Sequence, residues 1–154
     1  MSHGGKGGIN VNNALLSELD KLEAKQAVDG AIAAVSEAQR KDPKFVLQVI
    51  NGLLDTANSE YGAAVANGKI SAIIEYQDSR GFVIYAEMLY KDIADQVAKT
   101  SPETDKAIVT SMTELKKNWP TAIAPAAPVK TTEKVTQLIK TIENDSQKVL
   151  KPAA

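Results

Sequence analysis

Three of the breaks in this chain are too short for a helix to do anything except turn back along the one before it. They are Lys41-Asp42-Pro43, Asn67-Gly68 within "ANGK", and Ser101-Pro102-Glu103. Proline fits the first turn of a helix, where its missing N–H would have no intrahelical partner anyway. Gly68 suits the left-handed position at a helix C-terminus. Ser101 is a good N-cap, followed by a proline and then by a first-turn carboxylate that favours the helix dipole. Between the breaks lie long segments whose apolar residues recur at helical spacing. Long amphipathic helices joined by short connections become antiparallel neighbours. The expected fold is therefore all-α, an antiparallel up-down four-helix bundle.

The first helical segment is expected to start at an Asn12 or Asn13 cap and to run to about Arg40. Its stripe begins as Leu15, Leu19, Leu22 and continues as Val28, Ile32, Val35 on nearly the opposite side. A kink or break between Leu22 and Gly30 follows, giving an extra short or broken N-terminal helix. The second helix starts at Pro43 with Val46, Ile50, Leu53, Ala57 and Ala64 inward; the third runs from about Ile70 to Thr100. The fourth carries Ile108, Met112, Leu115 and Trp119, with Trp119 plugging the core at the helix end or lining a pocket beneath the next segment. That segment, "PTAIAPAAP" (120–128), holds three prolines and must interrupt helix before the last one, whose apolar positions are Val135, Leu138, Ile139, Ile142 and Val149. No sequence repeat and no strand pair with a hairpin turn is evident. The division expected is a flexible arm over 1–11, one bundle domain over 12–150 and a tail over 151–154.

Several function classes are excluded or disfavoured. Lys plus Arg number 18 against 19 Asp plus Glu, a net charge of -1, so there is no basic excess for a nucleic-acid footprint. With no cysteine there is no disulfide, thiolate metal site, iron–sulfur ligation or c-type haem attachment. The only histidine, His3, lies in "MSHGGKGG", an arm without an apolar signal core that reads as an addition in place of a removed export signal. A histidine-based catalytic or metal centre within the fold is thereby excluded. No apolar run approaches the roughly 20 residues of a membrane span. No catalytic triad, phosphate loop or dinucleotide motif is present, so no enzyme is expected. "NDSQK" at 144–148 lacks the glycine and closing glutamate of a calcium loop and reads as a solvated helix end.

The segment "NGKISAIIEYQDSRGF" (67–82) places polar residues where a helix should be packed. At about 100° per residue from Phe82, the positions Ala86, Leu89, Ile93 and Val97 share one stripe, Glu75 falls about 20° from Phe82, in the middle of it, and Asp78 and Ser79 flank it. The same construction from Leu53 sets Glu60 at about −20° on the second helix. Gln77 and Arg80 face outward on this phase. Glu60 lies seven residues before Asn67 and Glu75 seven after Gly68, so both would stand about 10 Å from the turn, level with each other. Two inward carboxylates must raise a pKa, recruit donors or bind a cation. Two readings stay open: a structural pair, solvated or bridged to Arg80 or a lysine, or a cation or small-ligand site. In the second reading Glu60 and Glu75 are the primary ligands, with Tyr61, Tyr76, Asp78 and Ser79 supporting. Carboxylate, phenol, carbonyl and water donors favour hard cations such as Fe(III), Mn, Ca or Mg.

Three elements of 53–83 belong together: Glu60-Tyr61 near a helix end, the small connection from Ala64 to Ile70, and Glu75-Tyr76-Gln77-Asp78 opening the next helix. This arrangement, with the proline-rich segment and final amphipathic helix downstream, resembles the extracytoplasmic helical-bundle domain of bacterial high-affinity iron permeases and related iron-transport proteins. The resemblance implies an exported bundle, periplasmic or extracellular, accessory to metal uptake, with iron or another hard cation as its charge and a membrane transport component as a partner. The chain departs from the full family in lacking a membrane segment and an Arg-Glu-x-x-Glu transport motif. It also lacks the His-x-x-Glu motif of imelysin-type relatives. The alternative is a non-catalytic helical interaction module, docking a partner through its last helix or through the first segment where the stripe changes face. A haem- or pigment-binding bundle is disfavoured by the lack of histidine.

Overall fold

The computed structural model describes residues 37–151. The arm over 1–11, the kink expected between Leu22 and Gly30 and most of the tail lie outside the described residues. The elements are α1 (Glu37–Arg40), α2 (Pro43–Ala64), β1 (Val65–Ala66), β2 (Lys69–Ile70), α3 (Ile73–Thr100), α4 (Pro102–Lys116) and α5 (Thr132–Leu150). Helix α2 packs on α3, α3 on α4, α4 on α5 and α5 back on α2, which closes the four long helices into an up-down bundle. Its direction is fixed by cross-helix hydrogen bonds. Asn51 of α2 donates to Ser146 of α5 at 3.1 Å, while Thr136, about three turns earlier on α5, donates to Asn58, about two turns later on α2, at 2.9 Å. The two helices therefore run antiparallel.

The local starts follow the sequence signals closely. Asp42 caps α2 by accepting the Lys44 N–H at 3.2 Å, with Pro43 in the first turn. Pro102 opens α4, but the Ser101 hydroxyl reaches the Thr104 hydroxyl at 2.6 Å instead of a backbone N–H. Thr131 caps α5 through the Lys134 N–H at 3.1 Å.

The connection between α2 and α3 differs from expectation. Helix α2 ends at Ala64, and Val65↔Ile70 and Ala66↔Lys69 pair as a minimal antiparallel hairpin. Asn67 (φ 54°) and Gly68 (φ 71°) form its turn. Two successive residues at positive φ are what a type I′ hairpin turn requires, and Asn-Gly is its preferred pair. Gly68 thus serves a strand turn and not a helix C-cap. The Ala64 carbonyl accepts from Ser71 N at 2.8 Å and Ala72 N at 3.2 Å, so the chain re-enters helix against the end of α2.

The core is a heptad seam. On α2 it reads Leu47, Ile50, Leu54, Ala57, Tyr61, Ala64; on α3 it reads Tyr76, Ser79, Val83, Ala86, Tyr90, Ile93, Val97, all buried. These spacings alternate three and four, the a/d pattern of helices packed as in a coiled coil. Leu53 and Phe82, expected at the stripe centres, only pack against the core from its margin. Val46, Ile50, Ala57 and Ala64 on α2 and Ala86, Leu89, Ile93 and Val97 on α3 are buried as expected, so each core face is turned by only part of a residue step, towards Leu54 and Val83. Tyrosine and serine seam positions carry little hydropathy, so they weigh less in a polarity count than their buried area warrants. The "NDSQK" segment is likewise not wholly solvated, since Ser146 is buried against Asn51.

Between α2 and α5, burial followed by the hydrogen bond and charge of Asp55 pushes the Glu143 carboxyl up from 4.5 to about 7, with Lys140 opposing. The folded chain then holds this proton more tightly than the unfolded chain, so stability falls as pH rises from about 4.5 to about 7. Glu143→Gln should flatten that part of a melting-temperature profile and raise Tm above neutral pH. The seam makes a second prediction. Leu54→Ala should cost about 2–5 kcal/mol in urea unfolding, and Leu53→Ala distinctly less; equal losses would place the seam elsewhere.

Candidate functional site at the hairpin end

Helices α4 and α5 are joined across the top of the bundle, where the hairpin and the α3 N-terminus also lie. The linker between Lys116 and Thr132 has no helix of its own, and buried backbone polar groups need partners. Its partners come from the segments that the sequence marked. Tyr61 Oη donates to the Lys130 carbonyl at 2.6 Å and lies 3.2 Å from Asn118 Oδ1. The same Asn118 oxygen accepts the Lys130 N–H at 2.8 Å, which fixes the start of the linker to its end. Tyr76 Oη donates to the Thr121 carbonyl at 3.3 Å, Gln77 Nε2 to the Ala122 carbonyl at 3.1 Å, and Ile70 N to the Ala126 carbonyl at 3.3 Å.

Trp119 is the plug. It is buried beyond the last turn of α4, its indole N–H donates to Ser79 Oγ at 2.9 Å, and the Ser79 hydroxyl donates to the Tyr76 carbonyl at 2.7 Å. Its ring meets Tyr61 edge-on, with centroids 5.3 Å apart and planes at 74°, an arrangement worth about 0.5–1.5 kcal/mol beyond area burial. Outside, Lys130 and Lys117 both engage Glu114, at 2.7 Å and 3.2 Å. Those two hydrogen bonds, with the lysine charges, hold the Glu114 carboxyl below its usual range.

Of the six residues singled out in the sequence, Tyr61, Tyr76 and Ser79 are fully buried, whereas Glu60, Glu75 and Asp78 are half-buried. The tyrosines occupy the seam positions and the glutamates the positions just before them. This corrects the inward placement of Glu60 and Glu75: a core face centred nearer Leu54 and Val83 turns each carboxylate to the flank and each ring inward. The three buried hydroxyls are committed to the linker and to backbone. Burial raises both phenols above their ordinary value. For Tyr61 the Asn118 hydrogen bond lowers it and the neighbouring Tyr76 raises it; for Tyr76 the Arg80 charge lowers it. They are hydrogen-bond donors at neutral pH, not phenolate ligands. Among the described residues no group of three or more His, Cys, Asp or Glu is placed to hold a metal ion.

Gln77 and Arg80 were expected outside, and both are half-buried, Gln77 against the linker. Sequence reasoning missed Asn118 entirely. Its buried amide organises both linker ends, and its only sequence signal is a polar residue beside the single tryptophan.

Tyr61→Phe leaves the Lys130 carbonyl without its donor and should cost about 1–3 kcal/mol. Amide exchange at Lys130 and Ile70 should speed up more than exchange in α2 or α3, because the linker opens before the bundle does. Uniform loss of protection would show that the linker has no separate mooring.

Neither curated proteins nor solved structures give a match to this chain. A family model does, over residues 36–153, the stretch that holds the four long helices, the hairpin and the moored linker. The chain belongs to the family of the iron permease-associated 4-helix bundle domain.

Proposed function

We propose that this bundle is an exported accessory of iron uptake, working at the periplasmic or outer face of a membrane, and that it takes up a hard cation on the flank of its hairpin end. Membership of a transport-related family supports the uptake role and gives no ground for catalysis. Among the described residues no helix is long and apolar enough to cross a membrane, and the partner proposed for this role is a membrane transport component.

The observation that carries the cation reading is that Glu60, Glu75 and Asp78 are each half-buried near the hairpin end. All three lie within two turns of the hairpin, immediately outside the plug formed by Tyr61, Tyr76, Ser79 and Trp119. A half-buried position has a lower dielectric than bulk water, which strengthens the attraction between a carboxylate and a cation. All-oxygen donors select hard ions, and water must complete the shell where the protein supplies few ligands. A site of that kind suits an ion that is passed on, because few protein ligands must be stripped away. The tyrosines and Ser79 support it by holding the backbone that carries the carboxylates.

Titration of Fe(III), Mn(II), Ca(II) and Cu(II) during thermal unfolding tests the reading. A bound ion at about a hundred times its Kd should stabilise the fold by about 2.7 kcal/mol. The stabilisation should vanish in Glu60→Gln/Glu75→Gln. No shift with any ion, or an unchanged shift in the double variant, removes the site.

A second reading, a helical interaction module without metal, is favoured by one observation at the same end. Ile123 on the linker is 81% exposed and Ile73, at the start of α3, 55%. Apolar exposure of that order beside a moored linker suits a protein partner.

A further inference from the structure

A groove of about 610 Å³ runs between α3 and α4 under the start of the linker. Its apolar wall is Val83, Ile84, Trp119 and Pro120. Its polar side is almost wholly cationic, with Arg80, Lys116 and Lys117 against the single carboxylate Glu87. The two lysines are already engaged: Lys116 Nζ lies 3.0 Å from Glu87, and Lys117 Nζ 3.2 Å from Glu114. Arg80 differs, since its Nε is buried and has no hydrogen-bond partner. A buried donor left unpaired costs the full desolvation of that group, and a guanidinium is built to meet a carboxylate through two parallel N–H donors. Ligand sites are typically concave, mostly apolar and of about 300–1,000 Å³, with a few polar groups that fix orientation.

The geometry points to a binding site for a small organic carboxylate with an apolar body, its carboxylate on Arg80 and its body against Ile84, Val83 and the Trp119 ring. Neither Glu60 nor Glu75 lines this groove, so the inference is independent of the cation site. Neutral apolar molecules would leave Arg80 unsatisfied, and bare inorganic anions would leave the apolar wall wet. Both features of the ligand are therefore needed.

Trp119 is the only tryptophan and lines the groove, so its fluorescence reports occupancy. The full chain is titrated with octanoate, octan-1-ol and inorganic phosphate, none of which absorbs where tryptophan is excited. The expected result is a saturable fluorescence change with octanoate and at least about tenfold weaker binding of the other two, the equivalent of one charge-assisted contact or one apolar wall lost. Arg80→Gln should weaken octanoate by roughly tenfold or more. Thr113→Glu should do the same by setting a carboxylate on an exposed rim position, where the fold tolerates it. If Arg80→Gln melts out, Thr113→Glu decides. Octan-1-ol or phosphate binding as tightly as octanoate would overturn the inference, as would parental octanoate affinity in the folded variants.

Discussion

The Tyr61 side chain joins the two halves of this structure. Its ring fills a seam position between α2 and α3, and its hydroxyl, 2.6 Å from the Lys130 carbonyl, moors the linker that brings α5 back down the bundle. Without such a partner the linker would leave buried polar backbone unsatisfied at the top of the core. Asn118 and Trp119 extend the same arrangement: one closes the linker on itself, the other drives an indole into the bundle and finds Ser79 there. The end of the bundle that carries the candidate site is therefore held by buried donors on rigid helices.

That mooring also explains the groove. Because Trp119 is held under the linker by Ser79, its exposed edge and Pro120 form a roof over the α3–α4 crevice that helix packing alone would leave open. Between α3 and α4 that crevice is lined by Arg80, Lys116 and Lys117, and Glu60, Glu75 and Asp78 do not line it. The separation follows from helix geometry, since Glu75 and Arg80 are five residues apart and point away from each other at about 100° per residue.

Helix ends were legible because their signals are local. Pro43, Ser101-Pro102 and the prolines of 120–128 act through their own φ angles and missing N–H groups, whatever surrounds them. The seam was legible only in part. Ile50, Ala57, Ala86, Ile93 and Val97 were placed correctly, but Leu53 and Phe82 were set at centres that belong to Leu54 and Val83. Moving each centre towards Leu54 and Val83 turns the face by a fraction of the roughly 100° step between successive residues, which is enough to exchange Glu75 for Tyr76 as the inward residue. The hairpin was missed because two residues of strand on each side carry no periodicity of their own, although Asn67-Gly68 was a turn signal for it.

The sequence by itself determined the all-α class, the helix starts at Pro43 and Pro102, and that no cysteine and no histidine beyond His3 can serve a site. Only the tertiary structure decided which neighbour in each Glu-Tyr pair is buried. The choice depends on how well a ring or a carboxylate is satisfied once the linker crosses the bundle. A tyrosine can fill a seam position and donate its single proton to a linker carbonyl, while a glutamate there would lose its hydration. Asn118 and the Arg80 groove likewise arise from residues distant in sequence, which the turn between α3 and α4 and the moored linker bring together.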